Sequence, residues 1–297
     1  MFARKNLSDA LAPLALAGAV VFWGTSFVAT KIALTALAPM TVIWLRMIVA
    51  SLFFAPFWAR VPRPAQQAGD WRWLLGITIC IPGLYYLCEG YAVRYTTSGQ
   101  AGVVSAILPL LVGAAAWLWL GERLSPRWGG AIALSLLGVA LLSLTGASTE
   151  AAPNPGLGNL LEFGAMLSAA ISMVGVKRLS ARYPAWFLTG LQAAVGVVFF
   201  APAAIADGFG QLAQAPAIVW GCIVYLGVAV SLGAFGLYNL ALSRLPAGRA
   251  ALAINLVPVV ALLAGWLVRG EALNAAQVFG AGLIVVAVVA VEFRARP

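Results

Sequence analysis

The sequence predicts an all-α integral membrane protein with ten transmembrane helices, arranged as two inverted five-helix repeats around a central cavity. Three observations support this fold class: an apolar composition, a series of long apolar runs, and a segment that recurs in the second half of the chain. Of the 297 residues, 63% are hydrophobic and only 9% are charged. Such a composition leaves too few polar side chains to cover the surface of a water-soluble protein.

Each apolar run is long enough to cross a bilayer, because a helix needs about 20 apolar residues to span a hydrocarbon core of about 30 Å. The predicted spans are 10–31, 38–59, 71–91, 98–118, 127–145, 158–180, 184–204, 216–238, 247–267 and 275–293. The first run follows Arg4 and Lys5, as a signal peptide would, but it continues through Trp23 to Lys31. We therefore expect a retained first span.

The basic residues are distributed unequally between the two sides of these spans. With the N-terminus inside, 14 of the 18 Lys and Arg residues fall in inner segments, three fall in outer segments, and Arg46 lies within a span. This bias marks the cytoplasmic side and predicts that both termini are cytoplasmic. The formal net charge of +9 is thus mostly a topology signal, and no nucleic-acid partner is expected.

Several kinds of chemistry are excluded by composition. The chain has no histidine, which removes His-based metal sites, catalytic triads and proton relays. The three cysteines, Cys80, Cys88 and Cys222, lie within predicted spans without CxxC spacing, so we interpret them as packing residues. The chain has no GxxxxGK[ST] segment, the phosphate-binding loop of many ATP-hydrolysing proteins, so we do not expect ATP hydrolysis. We expect no cofactor, no metal site and no enzymatic activity.

Two halves of the chain repeat each other. The segment WLWLGERL at 117–124 returns as WLVRGEAL at 266–273, with five identical residues at an offset of 149 positions. The halves are predicted at 10–145 and 158–293. Each half holds five spans, so the second half must cross the membrane in the opposite sense to the first. Inverted repeats suit alternating access, in which a shared central cavity opens to one side and then to the other.

This symmetry predicts a secondary transporter, with a membrane channel as an alternative. A lipid-modifying enzyme would need paired acids, a histidine or a metal cluster facing one leaflet, and none is evident in the sequence. A partner-binding scaffold would leave the duplication unexplained. The expected partners are a small-molecule substrate and the lipid bilayer, whereas the coupling partner, a proton or a counter-substrate, and the oligomeric state stay open.

Two prolines point to the substrate site. Pro109 and Pro258 fall near the middle of their spans at corresponding places in the two halves, and each frees the carbonyl four residues earlier, at Ser105 and Ile254. Interrupted helices at matching positions indicate a midplane binding site. Ser105 and Asn255 lie beside these prolines and are predicted to contact substrate. A kink that improves helix packing is the alternative.

Four further residues are predicted to line the cavity because they lie deep in their spans. Trp23, Thr25 and Ser26 belong to the first span, and Tyr86 belongs to the third. Aromatic side chains with a polar tip suit an amphipathic cavity. Aromatic residues are also common at membrane interfaces, which is the alternative interpretation for those near span ends.

Three charged residues are predicted within the membrane. Arg46 lies about 12 Å along the second span and needs a partner, for which Glu89 has a compatible depth and Glu162 is the alternative. We favour a structural ion pair for Arg46 over recognition of a substrate carboxylate. If transport is coupled to protons, Glu89 and Glu162 are the intramembrane acids that can carry them.

The repeated segment ends in a Gly-Glu pair in both halves. We interpret Gly121–Glu122 and Gly270–Glu271 as tight turns in which the glutamate accepts hydrogen bonds from nearby backbone donors. Gating or ion coupling by Glu122 or Glu271 is the alternative role.

Longer motifs resemble a known family. These are FWGTSFVATKIAL at 22–34, APMTVIWLR at 38–46, YTTSGQAGVVSAILPLLVGAAAWLWLGERLS at 95–125 and a degraded copy at 244–274. They resemble the EamA-type ten-helix exporters of the drug/metabolite transporter superfamily over almost the whole chain. The resemblance implies a cavity lined by spans 1, 3, 4, 6, 8 and 9. It also implies efflux of amino acids, related metabolites or drugs across a bacterial inner membrane.

The second half departs from this pattern. It has Gln192 at the position of Arg46, and it lacks the WGTSF sequence. A sugar-phosphate or nucleotide-sugar exchanger of the same superfamily is an alternative function. That function would require a basic cavity, which Arg46, Lys31 and Lys177 are placed to supply.

Overall fold

The computed structural model describes residues 2–62, 64–121, 127–145, 148–242, 254 and 256–292. Its helices are α1 (Phe2–Ala33), α2 (Pro39–Trp58), α3 (Asp70–Thr78), α4 (Tyr85–Tyr95), α5 (Ser98–Ser105), α6 (Leu108–Leu120), α7 (Arg127–Leu144), α8 (Pro155–Leu179), α9 (Ala185–Asp207), α10 (Ala217–Tyr225), α11 (Phe235–Leu242), α12 (Val257–Arg269) and α13 (Ala275–Glu292). A kinked segment, Ile79–Leu84, joins α3 to α4, with Ile81 in an extended conformation (φ −127°, ψ 120°). A π-helical segment, Leu226–Ala234, joins α10 to α11. The fold is all-α within the described residues, as predicted.

Seven helical segments in the described part of the chain are long and apolar enough to cross a membrane. They are Pro13–Ala33, Pro39–Trp58, Asp70–Tyr95, Ser98–Trp119, Pro155–Leu179, Ala185–Asp207 and Ala217–Tyr238. Three shorter apolar helices, Gly129–Leu141, Val257–Arg269 and Ala275–Ala287, lie where the other spans are predicted. The prediction of a multi-pass membrane protein therefore agrees with the structure, whereas ten crossing helices stay a prediction.

The outer surface is apolar. On α9, Val198 is 74% exposed, while Phe200, two positions later, is buried. On α2, Phe53 is 53% exposed beside the buried Phe54. Large apolar side chains exposed over whole helices are unusual in soluble proteins and are typical of a lipid-facing surface.

Local signals in the sequence explain where several helices start. Asn154 caps α8: its Oδ1 accepts a hydrogen bond from the Leu157 backbone N–H at 3.1 Å, and Pro155 follows at the first helical position. Thr97 caps α5 in the same way by accepting from the Gln100 N–H at 3.1 Å. These caps fix where α5 and α8 begin, and both helices contribute residues to the wall of a central cavity.

The predicted interruption is present in the first half, where α5 ends at Ser105 and α6 begins at Leu108, and α12 of the second half begins at the corresponding position, Val257. α6 and α12 each contain 13 residues, and each has its proline, Pro109 or Pro258, at the second helical position. The missing proline N–H costs nothing there, because the first N–H groups of a helix have no intrahelical partner. Both helices end at a glycine in the left-handed region, Gly121 with φ 67° and Gly270 with φ 65°.

Close helix contacts surround α12. A Cβ added at Gly24 of α1 would lie 2.5 Å from the Val260 Cβ, and one added at Gly102 of α5 would clash with the Ala261 Cβ. The small residues therefore allow α1 and α5 to approach α12 closely. This packing brings helices of both halves to the walls of one cavity.

Candidate functional site

A central cavity lies between helices of the two halves. Its volume is about 510 Å³, including the part open to solvent, and its walls are mostly apolar and aromatic. Residues that line it include Trp23, Phe27, Tyr85, Leu108, Met166 and Phe235. Several of these flank the helix interruptions, so the cavity lies where the two halves lose regular helical structure. A largely apolar lining with a few polar groups is typical of small-molecule sites.

Three of the predicted substrate-contact residues line this cavity: Trp23, Ser26 and Ser105. The Ser26 hydroxyl donates to the Trp23 carbonyl at 2.7 Å, and the Ser105 hydroxyl donates to the Gly102 carbonyl at 2.7 Å. Both hydroxyl protons are used within their own helices. The hydroxyl oxygens can still accept hydrogen bonds from a ligand.

The structure places other predicted residues elsewhere. Thr25 does not line the cavity; its hydroxyl forms hydrogen bonds with the Val21 carbonyl at 2.6 Å and with the Tyr225 hydroxyl at 2.5 Å. Pro109 and Pro258 start α6 and α12 and are not in the cavity wall. Asn255 lies outside the described residues, as does Glu122.

A second, smaller cavity adjoins the first and shares Ile81 and Phe235 with it. Its volume is about 270 Å³ by the same measure, and its walls include Tyr86, Gln192 and Ser231. The Gln192 amide donates to the Ile81 carbonyl at 3.0 Å. The larger cavity is thus apolar, whereas the smaller one carries hydrogen-bonding groups.

Arg46 lies behind the smaller cavity and is 3% exposed. Its Nε donates to the Ser231 hydroxyl at 2.8 Å, and its Nη1 lies 3.3 Å from Glu89 Oε2. The guanidinium carbon also lies 4.2 Å from the centre of the Tyr86 ring. The expected ion pair of Arg46 is therefore present, and Glu89 rather than Glu162 is the partner.

Glu89 connects this ion pair to the larger cavity. Its Oε1 accepts a hydrogen bond from the Tyr85 hydroxyl at 2.6 Å, and Tyr85 lines the larger cavity. Glu89 itself is 4% exposed. A single buried carboxylate thus contacts both an arginine and a cavity-lining tyrosine.

Glu162 behaves differently. Its side chain is fully buried, and neither carboxyl oxygen has a hydrogen-bond partner among the described residues. It interacts electrostatically with Glu89. Buried polar atoms almost always have partners, so an unpartnered carboxyl group in the protein interior requires an explanation.

One end of the helix bundle is closed by a second polar cluster, which we call the Glu271 clasp: Lys31, Ser98, Gly99 and Glu271. Glu271 Oε2 accepts hydrogen bonds from the Ser98 hydroxyl at 2.6 Å and from the Gly99 N–H at 3.0 Å. Lys31 is buried and donates to a carbonyl in the last turn of α4 and to the Thr96 carbonyl, both at 2.6 Å. The clasp ties α1, α4, α5 and the end of α12 together.

Sequence reasoning missed several cavity residues. Met166, Ala169 and Met173 of α8 line the larger cavity. They are spaced at i, i+3 and i+7, which places them on one helical face, and Glu162 is four residues earlier on that face. This spacing is visible in the sequence, but it is also the spacing of ordinary packing residues.

The comparison with known proteins identifies the family. A model of the EamA-like transporter family matches residues 10–144 and again residues 156–293. The chain belongs to this family. The sequence resemblance is therefore confirmed, and the protein is a transporter of the drug/metabolite transporter superfamily rather than an enzyme.

Relatives of this EamA transporter are similar over most of their length. The uncharacterized transporter YetK of Bacillus subtilis is 25% identical over 92% of this chain and 84% of its own. A probable amino-acid metabolite efflux pump of Escherichia coli is 27% identical over 89% of each chain. A probable terminal-alkyne amino-acid exporter of Streptantibioticus cattleyicolor is 28% identical over 90% of this chain and 87% of its own.

A solved crystal structure has the same fold. It superposes with a TM-score of 0.61 over 96% of this chain and 97% of the other, at 22% sequence identity. At this identity the likeness concerns the fold and not the ligand.

Proposed function

We propose that this EamA transporter is a secondary transporter that exports amino acids or related small metabolites and drugs across the bacterial inner membrane by alternating access. The observation that carries the proposal is the central cavity between the two halves, at the helix interruptions. Interrupted helices at matching positions of two repeats are where secondary transporters bind their substrates.

Contacts between helix ends support a ten-span topology with cytoplasmic termini. At the end that holds the Glu271 clasp, Thr41 at the start of α2 donates to Asp207 at the end of α9 at 3.3 Å. At the other end, Asp70 at the start of α3 pairs with Arg182, which follows α8. Each contact joins helix ends that the predicted topology places on the same side of the membrane.

Shared local features support two inverted repeats at 10–145 and 158–293. α6 and α12 start and end at positions 149 apart, which is the offset of the repeated sequence. The family model also matches the chain twice, once in each half. Because each half is proposed to hold five spans, the two copies have opposite orientations in the membrane.

The two cavities together suit a zwitterion with an apolar side chain. The larger cavity offers Trp23, Phe27 and Met166 to an apolar group. The smaller one offers hydrogen-bonding groups at Gln192 and Ser231. Two relatives are named as amino-acid exporters or efflux pumps, which agrees with this substrate class.

A sugar-phosphate exchanger would need basic side chains that are available to the substrate. Lys31 donates to the backbone carbonyls of Val93 and Thr96, and Arg46 pairs with Glu89. These contacts favour the amino-acid class over the phosphate class.

Counterflow in proteoliposomes tests the proposal. Vesicles are loaded with one unlabelled amino acid, phosphate sugar or nucleotide sugar at a time, and uptake of the same labelled compound is measured. We expect saturable exchange for amino acids with apolar side chains. Flux that never saturates would indicate a channel, and exchange confined to phosphate compounds would indicate the exchanger.

A matched pair of variants locates the path. Ser105→Trp places an indole in the larger cavity and is expected to lower exchange about tenfold or more. Val198→Trp adds the same side chain on the exposed face of α9, where the native valine is 74% exposed, and is expected to leave exchange unchanged. Equal exchange by the two variants would show that substrate does not pass through this cavity.

A further inference from the structure

Glu162 is the buried ionisable group that the ion pair and the cavity leave unexplained. It is the eighth residue of α8, about 12 Å along that helix, and its side chain has no exposed surface. Both of its carboxyl oxygens lack hydrogen-bond partners among the described residues. An isolated carboxylate is costly to bury, and ionisable groups inside a membrane protein are usually functional.

Among the described residues, three titratable groups of α4, which packs against α8, act on Glu162. They are Tyr85, Cys88 and Glu89, and each interacts electrostatically with Glu162. None of them is a cation. A carboxylate at Glu162 would therefore face a second carboxylate without a neutralising partner.

Among the described residues, the other elements packed against α8 carry charged residues only in their first helical turns. α5 and α6 contain no titratable residue, and the segment Ile79–Leu84 contains only Cys80. The charged residues of α3, Asp70 and Arg72, lie in its first turn at one end of the bundle, and α7 has only its first residue, Arg127.

Charge balance among Arg46, Glu89 and Glu162 indicates which carboxyl group holds a proton. The guanidinium of Arg46 neutralises Glu89 at 3.3 Å, and this buried pair has no net charge. A third ionised group would leave one uncompensated negative charge in the interior. In this conformation the balanced state has a neutral, protonated Glu162.

We propose that Glu162 is the proton-binding site that couples transport to the proton gradient, with the Arg46–Glu89 pair as a fixed, neutral neighbour. This inference rests on the proposed function. When the cavity opens to water, the O–H bond of Glu162 breaks, the electron pair stays on the carboxylate, and the proton passes to water. The carboxylate takes up a proton again from the other side.

The structure offers a path between this acid and the cavity. Tyr85 lines the larger cavity, donates to Glu89 at 2.6 Å, and interacts electrostatically with Glu162. Water that enters the cavity therefore contacts Tyr85, which interacts with both acids.

Infrared spectroscopy tests proton binding without any substrate. The purified wild-type protein should show the C=O stretch of a protonated, buried carboxyl group. We expect this band to be missing in Glu162→Gln, to return in Glu162→Asp, and to be unaffected in Glu150→Gln, which changes an exposed loop residue. An unchanged band in Glu162→Gln would overturn the proposal. If that variant does not fold, absence of the band from the wild type would overturn it equally.

Transport tests the coupling separately, with labelled L-phenylalanine as the probe and a pH-sensitive dye inside the vesicles. We expect the wild type to move protons when phenylalanine is added and to accumulate it in response to a pH gradient. Glu162→Gln should lose this accumulation about tenfold or more, and any exchange that it retains should no longer change with pH.

The outcomes separate the two proposals. Wild-type counterflow of phenylalanine without proton movement would overturn the coupling role and leave the transporter standing. Absence of counterflow for every amino acid in the panel would overturn the proposed substrate class, and the infrared result would still decide whether Glu162 holds a proton.

Discussion

Removing the counter-charge of Arg46 should destabilise the protein by an amount that depends on Glu162. Across 3.3 Å, at an effective dielectric constant of about 20, the Coulomb attraction between Arg46 and Glu89 is about 5 kcal/mol. Glu89→Gln removes this attraction and also the desolvation cost of one carboxylate. Breaking a buried pair by neutralising one partner therefore costs about 3–5 kcal/mol when nothing replaces the lost charge.

Glu162 is placed to supply the negative charge that Glu89→Gln removes, because it interacts electrostatically with Glu89 and has no hydrogen-bond partner among the described residues. We expect Glu89→Gln alone to lower the free energy of unfolding by about 1–2 kcal/mol, since Glu162 can ionise in its place. In a Glu162→Gln background the same change should cost the full amount of about 3 kcal/mol or more.

The assay is unfolding of the purified protein by sodium dodecyl sulfate in mixed micelles, for the wild type, both single variants and the double variant. Glu150→Gln is the control and should change the free energy of unfolding by less than about 0.5 kcal/mol, because Glu150 is exposed. A cost of Glu89→Gln below about 1 kcal/mol in both backgrounds would refute the reasoning. It would mean that Glu89 is not the counter-charge that Arg46 needs.

Two further predictions concern helix packing and the Glu271 clasp. Gly102→Ala should lower the free energy of unfolding by about 1–3 kcal/mol, because its Cβ would clash with Ala261. The control Gly76→Ala meets open space and should leave the free energy of unfolding unchanged or raise it. Thermal unfolding of both variants tests this prediction, and equal shifts in the two would contradict it. Glu271→Gln should lower the free energy of unfolding by about 1–3 kcal/mol, because it weakens the charge-assisted acceptor of the Ser98 hydroxyl. Unfolding in mixed micelles measures this loss. Ser98→Ala should lower the free energy of unfolding less in the Glu271→Gln variant than in the wild type.

The sequence predicted the partner of Arg46 because depth in the membrane is readable from position. Arg46 and Glu89 lie at compatible depths in adjacent spans, and a buried guanidinium requires a counter-charge. The additional contact with Ser231 was not predictable. It comes from the second half of the chain, 185 positions away, and it depends on how the two halves dock.

Thr25 shows that the direction of a side chain on its helix decides whether the residue lines the cavity. Trp23, Ser26 and Phe27 follow an i, i+3, i+4 pattern and share the face that lines the larger cavity. Thr25 is two residues after Trp23, which rotates it by about 200° around the helix. It therefore contacts Tyr225 rather than the cavity. Depth alone predicted Trp23, Thr25 and Ser26 together, and helical periodicity would have separated them.

The role of Lys31 could not be found from the sequence. Its position at the end of the first span indicated an outer basic residue, and one that could supply a basic cavity. In the structure it is 7% exposed and donates to backbone carbonyls at Val93 and Thr96. Every helix end has backbone carbonyl groups without an intrahelical partner, whatever its side chains are, so the residue types of α4 do not indicate this contact.

The two halves share their scaffold but not their charges, and this difference indicates what the charges do. Pro109 and Pro258, like Gly121 and Gly270, are repeated at an offset of 149 positions and shape corresponding helices.

The charged cluster, which consists of Arg46, Glu89 and Glu162, has no such copy in the other half of the chain. Gln192 stands 146 positions after Arg46, Tyr238 stands 149 positions after Glu89, and Leu16 stands 146 positions before Glu162. A feature needed to build the fold would be needed in both halves, whereas a binding site for a proton or a substrate is needed once. The asymmetry of the cluster is therefore the property expected of a group that sets coupling and ligand choice within a scaffold that two similar halves build together.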